Sequence, residues 1–147
     1  MKTSIKRRMV QRVIAAVIVA LMGIPVASTA VAAGNWGDTP FNYHWGYFDG
    51  TKRTEVRAKL DTTSSYMKAT YVSGGNSYNA YVTAAVWDGK QYQYIDVRCG
   101  TYKFMQGTTL YLCNWVRERG FTAASIAATP GNVLGLDASG WWSPDSI

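Results

Sequence analysis

Few residues in this chain have side chains suited to catalysis or metal binding. His44 is the single histidine, Cys99 and Cys113 are the single pair of cysteines, and Glu55 and Glu118 are the only glutamates. A structural zinc site draws four ligands from Cys and His, more than this inventory supplies, so no metal is expected. Walker-type glycine loops and calcium loops are absent as well, and no cofactor is expected. A serine triad would have to use His44, yet no Gly-x-Ser-x-Gly elbow occurs. Glycoside hydrolysis needs two acids about 5 to 10 Å apart. Asp49 and Asp88 belong to Asp-Gly turns, and Asp38, Asp61 and Asp145 look loop-bound. That leaves Asp96 and Asp137 as strand acids, with nothing in the sequence to pair them. No catalytic residue is expected, and the chain reads as a non-enzyme.

The remaining functional signal is aromatic surface. Asp88-Gly89 reads as the two-residue turn of a hairpin, which places Val82 opposite Ile95, Ala80 opposite Val97 and Tyr78 opposite Cys99 on a core face. The other face then sets Tyr81, Thr83, Ala85 and Trp87 against Asp96, Tyr94, Tyr92 and Lys90. Tyr81, Trp87, Tyr92 and Tyr94 thus share a side that should be polar if it met water. Three readings are open: a face covered by another sheet or by the Gly100 to Gly107 loop, a binding platform with Lys90, Asp96 and Arg98 at its margin, or a self-association surface beside an open edge.

The elements that position this face are strands. Thr and Val are abundant, glycines punctuate the segments, and no helical apolar stripe follows Gly34. Asp49-Gly50 reads as a second hairpin turn, with Phe41, Tyr43, Trp45 and Tyr47 on one face, Tyr43 opposite Val56 and Phe41 opposite Ala58. The outer face would pair His44 with Glu55 and Asn42 with Arg57. Ser65 to Val72, Thr108 to Val116, Phe121 to Ala128 and Val133 to Trp142 complete an all-β reading of seven or eight strands, an antiparallel sandwich or jelly-roll-like fold. Trp141 and Trp142 are consecutive, so they must point to opposite faces, and only one can be core.

The amino terminus reads as an export signal. Lys2, Lys6, Arg7, Arg8 and Arg12 precede an apolar run from Val13 to Val26, and Val31-Ala32-Ala33 before Gly34 suits signal peptidase, with Ala30 and Ala32 as other cuts. The expected organisation is a signal peptide over 1–33 and a single secreted β-domain over 34–147. The alternative is an uncleaved amino-terminal membrane anchor, since about 20 apolar residues span a bilayer. Arg7-Arg8 also allows a twin-arginine reading, which Met9-Val10-Gln11 fits poorly.

The net charge of the full chain is +6, but five of its fifteen basic residues and none of its nine acidic ones lie before the cut. The mature part is nearly neutral, which argues against a nucleic-acid partner. Export also makes a Cys99 to Cys113 disulfide the natural expectation, as a clamp between adjacent strands.

Ser139-Gly-Trp-Trp-Ser-Pro-Asp145 and Arg57-Ala-Lys-Leu-Asp-Thr-Thr-Ser-Ser-Tyr66 resemble segments of small, largely uncharacterised secreted β-proteins of Gram-positive bacteria, some of them lactococcin-like bacteriocins. The resemblance implies secretion and an all-β fold. The function expected is a secreted, non-enzymatic binding protein acting at the cell envelope or in the medium, with a cell-wall glycan or surface protein as partner. A bacteriocin-like antimicrobial is the alternative, and a small hydrolase stands further off.

Overall fold

The computed structural model describes residues 34–147. The expected signal segment up to Ala33 lies outside the described residues. Ten strands follow in chain order: β1 Thr39–Trp45, β2 Lys52–Arg53, β3 Arg57–Ala58, β4 Ser65–Val72, β5 Tyr78–Trp87, β6 Tyr92–Asp96, β7 Tyr102–Phe104, β8 Thr109–Leu112, β9 Ala123–Pro130 and β10 Leu136–Ser143. They form a four-stranded sheet in the order β1-β10-β4-β8 and a six-stranded sheet in the order β2-β9-β5-β6, with β3 added on β9 and β7 on β5. All pairings are antiparallel, and the two sheets pack on one core, so the all-β sandwich expected from composition is the fold.

Alternation along β1 makes its inner face. Phe41, Tyr43 and Trp45 are buried while Asn42 and His44 are exposed. The facing sheet supplies Tyr78, Ala80, Val82 and Ala84 from β5 with Ala124, Ile126 and Ala128 from β9. Trp142 is fully buried and Trp141 is 44% exposed, the split that consecutive strand residues require. At Gly140 the β10–β4 register shifts, and a Cβ there would collide with the Lys68 carbonyl oxygen. Glycine is needed for that close approach.

The partner expected for β1 is corrected. β1 pairs with β10, placing Tyr43 opposite Ala138, Phe41 opposite Gly140, Asn42 opposite Ser139 and His44 opposite Asp137, not opposite Val56, Ala58, Arg57 and Glu55. Asp49 explains the change. Its carboxylate accepts the Gly46 N–H at 3.0 Å and pairs with Lys52 at 2.9 Å, and Asp49 N–H donates to the Gly46 carbonyl. The turn closes early, the chain crosses to the other sheet, and β2 and β3 pair with β9. Tyr47, expected on the inner face, is left 74% exposed.

Cys99 and Cys113 are joined as a disulfide next to the antiparallel Arg98–Asn114 bridge, so it clamps two adjacent antiparallel segments as expected, although the loop it closes is not a plain hairpin. Between them β7 pairs with β5 and β8 pairs with β4. The bridge therefore ties the end of the six-stranded sheet to that of the four-stranded one, beside the Arg98–Asn114 pairing. Tyr78 accordingly faces Phe104 and Pro130, not Cys99.

A buried ion pair closes one end of the sandwich. Lys59 Nζ donates to Asp145 Oδ1 at 2.6 Å, to the Thr63 carbonyl at 2.6 Å and to the Pro144 carbonyl at 2.8 Å. Three oxygens satisfy the three ammonium hydrogens. Asp145 Oδ2 accepts the Asn35 N–H at 2.6 Å and the Leu60 N–H at 3.0 Å, so the pair ties Asn35, the chain after β3 and the tail after β10. Burial pushes the Asp145 carboxyl up, but the Lys59 ammonium and the two backbone N–H groups outweigh it and hold the pKa below the usual 3.8.

Lys59→Met, which leaves this carboxylate buried without its ammonium, is expected to cost about 3 to 5 kcal/mol in urea denaturation. Lys59→Met combined with Asp145→Asn, which removes the unpaired charge and keeps an oxygen for the Asn35 and Leu60 N–H groups, should recover part of that loss. Since the folded pKa is the lower one, the unfolded chain binds the proton first as pH falls. The stabilisation is complete above the unfolded value near 3.8 and is lost as pH drops through the folded one. A double variant no more stable than the single one would contradict this.

Candidate functional site

The outer face of the six-stranded sheet is floored by small side chains. Thr83 and Ala85 from β5 and Ser125 and Ala127 from β9 alternate with the inward residues, yet all four are buried. Their hydroxyls are spent within the sheet: Thr83 Oγ1 donates to the Ser125 carbonyl at 3.0 Å, and Ser125 Oγ donates to the Thr54 carbonyl at 2.9 Å. Larger side chains stand beside this floor on the same face, with Arg53 and Tyr81 opposite Ala127 and Tyr94 opposite Ala85.

Two arginines there pair with two tyrosines. The Arg53 guanidinium sits 4.3 Å from the ring centre of Tyr94, and that of Arg98 sits 3.5 Å from the ring centre of Tyr81, both within cation–π range. Arg98 is fixed from the side by Asp96. Its Nε lies 2.8 Å from each carboxylate oxygen and its Nη2 2.6 Å from Oδ2. The Arg98 hydrogen bond is the largest of the effects that hold the Asp96 carboxyl below its ordinary value, and in return Asp96 raises Arg98.

Beyond this floor the face opens. Trp87 and Tyr92 meet edge to face, ring centres 5.1 Å apart and planes at 66°. With Ala85 and Val86 they line one side of a groove of about 390 Å³, and Gly120 to Ala123 line the other. Trp87 is 57% exposed, Tyr92 42% and Tyr94 37%, and Tyr81 is half-buried under Arg98. The four aromatics read from the sequence therefore lie on one accessible face. The covered-face reading fails, because the Gly100 to Gly107 segment contributes β7 to the edge of β5 and does not lie across the sheet.

The register of this hairpin differs from expectation by two residues. Thr83 faces Asp96, Ala84 faces Ile95, Ala85 faces Tyr94 and Trp87 faces Tyr92, where Asp96 was placed opposite Tyr81 and Tyr92 opposite Ala85. The loop runs over Asp88 to Gln91, with Lys90 exposed at its tip. Asp88 Oδ1 accepts the N–H groups of Lys90 at 2.8 Å and Gln91 at 2.9 Å, and Asp88 N–H donates to the Gln91 carbonyl at 3.1 Å. This side-chain turn favours four residues over two. A two-residue slip keeps every side chain on its face, so the aromatic set survives.

Other sequence candidates are dispersed. His44 Nδ1 lies 2.6 Å from Asp137 Oδ1 on the outer face of the four-stranded sheet, with both side chains exposed. Asp96 and Asp137 lie on the outer faces of different sheets, so they cannot flank one glycosidic bond. Among the described residues no cluster of His, Cys, Asp or Glu could hold a metal ion, and no helix is long and apolar enough to cross a membrane. Arg53 carries no local sequence mark of this role, because the Tyr94 ring beneath it belongs to a distant strand.

The family model described as "Protein of unknown function (DUF2712)" matches residues 28–146. The chain belongs to this family. No curated protein and no solved structure matches this chain. Within this DUF2712 domain the disulfide is compatible with an extracellular setting.

The exposure difference between two tryptophans is directly measurable. Trp87→Ala should cost less than about 1 kcal/mol in urea denaturation, whereas Trp142→Ala should cost about 3 to 5 kcal/mol. Comparable losses would mean that Trp87 is part of the core.

Proposed function

We propose that the protein is a secreted, non-enzymatic binding protein that acts at the cell envelope or in the medium through the aromatic face of its six-stranded sheet, with cell-wall glycan as the favoured partner. The observation that carries this reading is the exposed, ring-walled groove at Trp87 and Tyr92, continuous with Tyr94 under Arg53. Sugar rings stack on flat aromatic faces, and pockets of this kind combine apolar walls with a few fixed polar groups. Arg98, held by Asp96, and Arg53, held by the Tyr94 ring, provide such groups without having to be ordered on binding.

Retention on insoluble cell-wall polysaccharide tests the reading. The wild-type protein is expected in the bound fraction, and Trp87→Ala and Tyr94→Ala should each weaken retention by about tenfold, in line with loss of one aromatic contact. Unchanged retention of both variants would sink the site assignment.

A further inference from the structure

A second site lies on the opposite side of the sandwich, separate from the aromatic platform. Register runs Ser143 of β10 beside Tyr66 of β4 and Tyr66 beside Tyr111 of β8, and Asp38 immediately precedes Thr39, which pairs with Trp142 next to Ser143. The rings of Tyr66 and Tyr111 are 5.8 Å apart at their centres and tilted by 53°, which makes a wedge and not a closed stack. Trp36, 47% exposed, and Tyr111, 59% exposed, flank a cavity of about 220 Å³ that Asp38, Ser143 and Ser146 also line.

The charge in this cavity is one-sided. Asp145 reaches its lining too, but the Lys59 ammonium cancels that carboxylate at 2.6 Å. Asp38 makes no ion pair and accepts no side-chain hydrogen bond among the described residues. Burial, together with the neighbouring Asp38 charge, raises the Tyr66 phenol, so that ring stays neutral. Three aromatic residues and the Asp38 carboxylate, which has no ion-pair partner among the described residues although the Arg57 guanidinium binds the neighbouring Gly37 carbonyl, therefore line a space of small-ligand size. Neutral ligands would gain the apolar contact alone; a bulky cation gains that contact, the ring faces and the carboxylate together.

The geometry points to an alkylammonium-binding cage: Trp36, Tyr66 and Tyr111 hold a quaternary or multiply alkylated ammonium group, and Asp38 supplies its counter-charge. Such a group carries its charge on a methyl-covered surface, so it sheds water readily and needs no hydrogen-bond acceptor. A primary ammonium would lose more hydration on entering the same rings. The site does not depend on glycan binding at Trp87, and the two can be tested apart.

Binding of choline to the purified protein, followed by isothermal calorimetry or by shifts of the tryptophan indole N–H resonances, is the test. Choline should bind saturably, and neohexanol, its uncharged carbon isostere, about tenfold or more weakly. Asp38→Asn, which keeps the shape and removes the charge, should weaken choline by about tenfold and leave neohexanol unchanged. Tyr111→Ala, at an exposed position, should weaken both. Trp87→Ala should leave choline binding as it was, which separates this site from the platform. Absence of saturable choline binding, equal binding of choline and neohexanol, or an Asp38→Asn variant that binds choline like the wild type would each overturn the proposal.

Discussion

Tyr78 is the side chain on which the two sheets meet. Its ring lies 5.3 Å from that of Phe104 in a stacked arrangement, 5.9 Å from those of both Tyr43 and Trp45, and 6.5 Å from that of Phe41. Its hydroxyl reaches the Met67 sulfur at 3.8 Å. Aromatic pairs contribute about 0.5 to 1.5 kcal/mol each beyond their burial, so one residue of β5 gathers several such terms from β1 and β7. Burial raises its phenol well above the ordinary tyrosine value, and the ring stays neutral in the core. The inner face of β5 around it is otherwise alanine and valine, small enough for the β1 rings to enter.

The core draws its large rings from β1, Tyr78, Phe104 and Trp142, and Trp87 and Tyr92 on the outer face of the six-stranded sheet remain exposed. Those rings instead extend the sheet beyond the body at a hairpin whose β6 is exposed along its whole length. Beside the small floor of Thr83, Ala85, Ser125 and Ala127, Arg53 stacks on Tyr94 and Arg98 on Tyr81. A platform thus follows from how residue sizes are divided between the two faces of β5 and β9. The Lys59–Asp145 pair plays the matching role at the other sheet, since it fixes Asn35 and the tail beside Trp36 and Asp38.

Facing was legible in the sequence and partnership was not. Alternation placed Phe41, Tyr43 and Trp45 inside and Asn42 and His44 outside whichever strand lay next to β1, because side-chain period is a property of one strand. The choice of β10 as neighbour is a long-range fact, settled by Asp49 closing its turn onto Gly46. Likewise the Tyr81, Trp87, Tyr92 and Tyr94 set survived a register error of two, since an even slip preserves faces. The cysteine pair followed from there being only two. That the bridge joins two sheets did not, because the pairing of β7 with β5 and of β8 with β4 leaves no local mark. Arg53 and the Lys59–Asp145 pair were hidden for the same reason: each partner lies tens of residues away.

The face carrying Trp87 is the proposed binding surface, whereas Tyr78, the β1 rings, Phe104 and Trp142 share the core with Met67, Leu112 and Ile126. Titrating isotope-labelled protein with soluble cell-wall glycan fragments, and following the indole N–H and backbone amide resonances, tests it most directly. Saturable shifts are expected at the Trp87 indole and the amides of Tyr92 and Tyr94, with the Trp45 and Trp142 indoles unmoved. Shifts confined to other surfaces, or none at saturating fragment, would contradict it.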